Sequence, residues 1–124
     1  MRAIHFPDEQ LRLDSDNLDL LVTQLGAREA ENVLYKALDD LARRLCDLSA
    51  LHRAGHWLQL AGTARRMAAI ARPIGLGLLA RVACDVAWNA ECGDTVALAA
   101  TLSRLERIGD HSFAELWNQA DRRV

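Results

Sequence analysis

The chain of 124 residues has no run of about 18 apolar residues, so no segment is expected to span a membrane. It has two prolines, Pro7 and Pro73, and no run of β-branched residues, which argues against sheet and for long helices. Lys36 is the one lysine, and the formal net charge is −2. A general nucleic-acid binder is normally basic, so that class is disfavoured, although Arg43, Arg44, Arg53, Arg65, Arg66 and Arg72 could cluster. Three cysteines, Cys46, Cys84 and Cys92, form neither an even disulfide set nor a repeated metal spacing. They are expected to be reduced, mostly buried thiols of a cytoplasmic protein. Cys84 and Cys92 share a helix face but stand too far apart along it to bridge. There is no Gly-rich phosphate loop, no G-x-S-x-G and no H-E-x-x-H. Residues 1–13 carry Pro7, Asp8 and Glu9 without a long apolar core, so they read as an arm rather than a secretory signal.

What is present is heptad-like spacing. A first short helix should start at Asp14 or Asp16, carry Leu18, Leu21, Val22 and Leu25, and stop at Gly26. A second, about 27–54, carries Leu34, Leu38, Leu41, Leu45 and Leu48 in steps of four and three, and Gly55 ends it. A third begins near His56 with Trp57, Leu60, Ala64, Met67, Ala71 and Ile74 on its seam. Pro73 should kink or end it, because proline lacks an N–H and clashes with the preceding turn. Gly75 and Gly77 then make a turn. A fourth helix, about 76–92, buries Leu79, Val82, Ala83, Val86 and Ala90; Gly93 turns and Asp94 caps the last helix. That helix carries Leu98, Leu102, Leu105, Phe113 and Leu116, with Gly109-Asp110 expected to weaken or break it. Short connections between long amphipathic helices predict an all-α, antiparallel up-down four-helix bundle with a short extra N-terminal helix, one domain over 14–124. Trp57, Trp88 and Trp117 are expected as core or seam anchors; one standing exposed beside Arg65 would instead be a docking candidate. The acidic pairs Asp39-Asp40 and Asp14, Asp16, Asp19 are expected to cap helices and complement their dipoles.

The stretch Ala64-Arg65-Arg66-Met67-Ala68-Ala69-Ile70-Ala71-Arg72-Pro73-Ile74-Gly75, with Leu79 beyond it, resembles the active helix of histidine phosphotransfer (HPt) domains. That family's pattern is A-H-x-L-K-G-x-A-x-x-[IL]-G followed by a leucine. Ala64, Met67, Ala71, Ile74, Gly75 and Leu79 match its small and apolar positions. Arg65 stands at the phospho-accepting histidine, Ala68 at the lysine and Ala69 at the glycine. Leu25-Gly26, Gly55-His56-Trp57 and Gly93-Asp94 resemble the family's "LG", "GDW" and "GD" boundaries, so the resemblance spans about 16–105. It implies a four-helix bundle of a bacterial two-component phosphorelay. The partner it implies is a response-regulator receiver domain, which supplies the metal and most of the transition-state stabilisation. No cofactor or metal of the chain's own is implied.

Arg65 cannot be the nucleophile, because a guanidinium stays protonated and offers no useful lone pair. One step off the seam, it should face solvent over small neighbours, Ala61, Gly62, Ala68 and Ala69, with Arg66 and Arg72 nearby. These residues form the expected partner-binding patch, with a planar cation suited to a receiver's acidic pocket. The plainer reading is a solvated arginine face. The expected function is therefore that of a non-phosphorylatable, receiver-binding regulator. One rival is an active phosphotransfer protein using His56. Nine residues before Arg65, about 900° of helix, put His56 on the opposite side. A register slid to His56 puts Leu60 at the glycine position. A second rival is a structural or oligomeric bundle, including a homodimer. Cys46, His52 and His56 lack a fourth metal ligand and straddle Gly55. His5 and His111 are isolated.

Overall fold

The computed structural model describes the backbone of residues 15–123 and the side chains of residues 20–110 and of Phe113. The expected arm, with His5, and the cap Asp14 lie outside the described residues, and the side chains of Asp16, Leu18, Asp19, His111, Leu116 and Trp117 lie outside the described side chains. Among the described residues the chain is all helical. The order is α1 (Ser15–Leu25), α2 (Ala27–Ala54), α3 (Trp57–Ala71), a 3₁₀ turn (Arg72–Ile74), α4 (Gly77–Cys92) and α5 (Thr95–Arg123). No described helix is long and apolar enough to cross a membrane.

Three helix ends share one device. Gly55, Gly75 and Gly93 adopt left-handed backbone at φ 74°, 84° and 72°. In each case the next residue's N–H reaches back five positions: His56 to Leu51, Leu76 to Ala71 and Asp94 to Asn89, at 3.0, 3.0 and 3.1 Å. This satisfies carbonyls that the ended helix leaves open, and a side chain at the glycine would be strained. That same next residue accepts the first hydrogen bond of the following helix, as in Leu98 N–H to Asp94 O at 2.8 Å. Asp94 also caps α5 with its side chain, Oδ1 accepting from Ala97 N–H at 3.1 Å. Pro73 ends α3 as its chemistry requires, and the chain tightens into the 3₁₀ turn around it.

Helix α2 packs on α3, α3 on α4, α4 on α5, and α5 back on α2; α1 lies against α2 and the 3₁₀ turn. The core is one cluster of buried side chains, with Leu38, Leu41, Leu45 and Leu48 from α2 and Leu98, Leu102, Leu105 and Ile108 from α5. Leu34, Trp57 and Phe113 pack against it half-buried. Val22 and Leu25, expected on the buried stripe of α1, are largely exposed.

The α3–α4 interface is built from alanine. Ala61, Ala64, Ala68 and Ala71 on α3, and Ala80, Ala83, Ala87 and Ala90 on α4, are all buried. Both sets step by three, four and three, so each presents a smooth ridge, and methyl-sized side chains let the backbones approach closely.

Gly109 does not break α5, which runs through it. It is buried, and a methyl group there would stand 2.6 Å from Leu45 Cδ2. A side chain there would have to displace the tip of the Leu45 side chain from α2, and the helix tolerates the glycine because packing offsets its low propensity. Nearby, Ser49 of α2 donates a hydrogen bond to Glu106 of α5. Asp40, expected as a cap, instead sits mid-α2 and accepts from Arg43 and Arg44 at 2.8 and 2.9 Å, one turn further on.

Candidate functional site

The expected patch divides along the alanine interface. Arg65, Arg66, Gly62, Ala69 and Arg72 are exposed, whereas Ala61 and Ala68 are buried at 3% and 1%. These two alanines cannot be touched by a partner, which corrects the picture of a flat surface of small residues around Arg65. The reason lies in packing: α4 lies along α3, and both alanines belong to the buried core cluster.

Nor is Arg65 a lone cation. Its Nη2 donates to Glu91 Oε1 at 2.5 Å and its Nε to Oε2 at 3.1 Å, a two-bond fork between α3 and α4. Two turns on, Arg72 Nη2 lies 3.3 Å from the Cys84 sulfur. From Arg65 to Arg72 the α3 contacts advance by seven residues, and from Glu91 to Cys84 their α4 partners retreat by seven. The two arginines therefore stand at one edge of the alanine ridge, clipping it to α4. Glu91 raises the Arg65 pKa further above its already high value through its hydrogen bond and charge. Reciprocally, the hydrogen bond from Arg65 holds the Glu91 carboxyl below the usual glutamate value. Both side chains remain open to water, at 48% and 38% exposure. A permanently charged, carboxylate-bound guanidinium can hold an anion, but it cannot accept a phosphoryl group.

Trp88, expected as a core or seam anchor, is 63% exposed. It lies on α4 three residues before Glu91 and four after Cys84, the spacing of neighbours on one helix face. The sequence did contain the signal: at helical spacing Trp88 falls with Arg81, Asp85 and Cys92, all exposed, and not with Leu79, Val82 and Val86. Arg65, Glu91, Cys84 and Trp88 thus form one solvent-facing strip across two helices.

His56 is exposed, but it sits at the start of α3 in the α2–α3 turn and not along the middle of a helix. With Trp57, Leu58 and Gln59 it lines an open apolar concavity at that end of the molecule. His52 stacks on Trp57 with ring centroids 5.6 Å apart. Among the described residues no three His, Cys, Asp or Glu side chains converge as metal ligands, so Cys46, His52 and His56 are not brought together. All three cysteines are free, and Cys46 and Cys92 are exposed rather than buried, since they fall on the outer face of α2 and the last residue of α4.

Comparison with protein-family models, curated proteins and solved structures finds no match for this chain.

Proposed function

We propose that this chain is an HPt-like, antiparallel four-helix bundle that docks on receiver domains of a bacterial phosphorelay without carrying phosphate, in the cytoplasm. The observation that carries the reading is Arg65: mid-helix, exposed, engaged with a carboxylate, and standing where the resemblance places the phospho-accepting histidine. Three further features support it. The positions matching the family's apolar frame, Ala64, Met67, Ala71, Ile74, Gly75 and Leu79, are all buried. Short connections with left-handed glycines at Gly55, Gly75 and Gly93 separate the helices, a feature that fits an up-down bundle. The exposed Trp88 offers an aromatic anchor on α4 one turn from Glu91, the carboxylate that holds Arg65; Trp and Arg are residue types that often carry binding energy at an interface.

The test is to mix the purified chain with labelled phospho-receivers from the same genome and follow label on both proteins. The expected result is no label on this chain and an altered phosphate lifetime on at least one receiver. Acid-labile label on the chain, lost in His56→Gln, would establish the rival phosphotransfer reading. No response on either chain would leave a structural or oligomeric bundle. The exposed Trp88 and Leu58, 63% and 83%, favour looking for a homodimer in that case, by sedimentation of the wild type against Trp88→Ala.

A further inference from the structure

The Arg65–Glu91 fork occupies the guanidinium edge that a partner's carboxylate would need. Nε and Nη2 both donate to Glu91, and this paired geometry is the one in which arginine recognises a carboxylate. The pair is open to water on both sides, so it is weak and exchanges easily. The large exposed ring of Trp88 lies one turn from Glu91 on the same face of α4. Around them the charge is mainly positive. Arg66 and Arg72 are exposed on α3, and Arg81 and Asp85, both exposed on α4, offset each other. Moving Glu91 aside would leave the strip cationic.

We propose that Glu91 is an internal stand-in for a partner's carboxylate. The α3–α4 strip binds a protein surface that presents an acidic side chain next to an apolar recess. The partner's carboxylate replaces Glu91 on Arg65, and the Trp88 ring fills the recess. The inference rests on the docking reading above and adds to it a built-in competitor, so that only a surface able to offer both features displaces Glu91.

The experiment titrates receiver domains from the same genome against the full-length wild type, Glu91→Gln, Arg65→Ala and Trp88→Ala by calorimetry. Circular dichroism melts confirm that each variant is folded. Glu91→Gln should bind roughly two- to fivefold tighter than wild type, the range set by an exposed ion pair. Arg65→Ala and Trp88→Ala should bind about tenfold or more weakly. If Glu91→Gln binds equally or more weakly while the other two variants still lose affinity, Glu91 positions Arg65 instead of competing for it. The competitor is then overturned and the docking reading stands. If none of the four chains binds any receiver, the docking reading falls and takes this inference with it. If the wild type is a dimer that Trp88→Ala dissociates, the strip is covered by a second copy, and the acidic-partner proposal is overturned.

Discussion

Gly109→Ala puts the contact between α5 and α2 to a quantitative test, because two effects of known size oppose each other there. Alanine is favoured over glycine in a helix interior by about 1 kcal/mol. Against this, the added methyl lands 2.6 Å from Leu45 Cδ2 and 3.4 Å from Phe113 Cε2. Carbon atoms in contact prefer about 3.5–4.0 Å, so Leu45 must retreat by about 1 Å. Leu45 is only 5% exposed and has core on every other side, and forced overpacking of that kind costs about 1–3 kcal/mol. The net expectation is a loss of about 0–2 kcal/mol, with the melting temperature falling roughly 3–6 °C for each kcal/mol in a domain of this size. The sign should reverse once Leu45 is shortened. Leu45→Ala alone should cost about 2–5 kcal/mol by opening a cavity. In that background the Gly109 methyl has room, and the substitution should stabilise by up to about 1 kcal/mol. Urea denaturation of the wild type, both single variants and the double variant measures the coupling directly. If Gly109→Ala stabilises the wild type by about 1 kcal/mol and does so equally in the Leu45→Ala background, α2 and α5 are not in close contact and the account of this glycine is wrong.

Three further outcomes follow from the same geometry. Ala68→Leu should destabilise by about 1–3 kcal/mol or more, since it drives a large side chain into the alanine interface, whereas Ala69→Leu, exposed one residue on, should stay within about 0.5 kcal/mol; denaturation midpoints compare them. Asp94→Ala removes the side-chain acceptor for Ala97 N–H at the start of α5 and should cost about 1 kcal/mol, with Asp94→Asn largely restoring it. Because Arg65 lowers the folded-state pKa of Glu91, the pair's contribution to stability is full above the ordinary glutamate value and is lost as pH falls through the lowered one. Glu91→Gln should therefore flatten the acid side of the stability–pH curve slightly and leave the neutral side unchanged, read from melts between about pH 2 and pH 7.

The helix boundaries were legible because the signals that set them are local. A glycine followed by one capping residue ends one helix and starts the next at Gly55 and Gly93, and Gly26 alone does both between α1 and α2; all three can be read with no knowledge of the tertiary fold. The leucine seam of α2 was legible for the same reason. The roles of Gly109 and of the alanines were not. In sequence, Gly109 differs from a breaking glycine only in what lies across from it, and Leu45 is 64 residues away. Alanine is equally at home on an exposed helix face and in a close helix–helix contact, so Ala61 and Ala68 could not be distinguished from Ala69 by type. Only the pairing of α3 with α4 separates them. Glu91, the partner of Arg65, lies 26 residues further on with no intervening pattern, and the register that joins them is set by the length of the turn around Pro73.

That register also bears on the positions where the proposed HPt resemblance would place its chemistry. Ala68, where the resemblance would place a lysine, is buried, as are Ala80, Ala83, Ala87 and Ala90 on the adjoining α4. A lysine there would have to push its neighbours away or thread its stem out to solvent, and either course disturbs the packing of α3 in the core. Arg65, at the edge of the same contact, ties α3 to α4 through Glu91, which a histidine could not do in the same two-bond geometry. Substituting histidine for Arg65 alone would therefore leave an imidazole beside a carboxylate, which disfavours an incoming phosphoryl group, with no lysine to offset its charge. Arg65 and Glu91 thus join α3 to α4 by a fork that a histidine could not make, and under the proposed reading the exposed guanidinium would hold an acidic surface rather than pass on a phosphate.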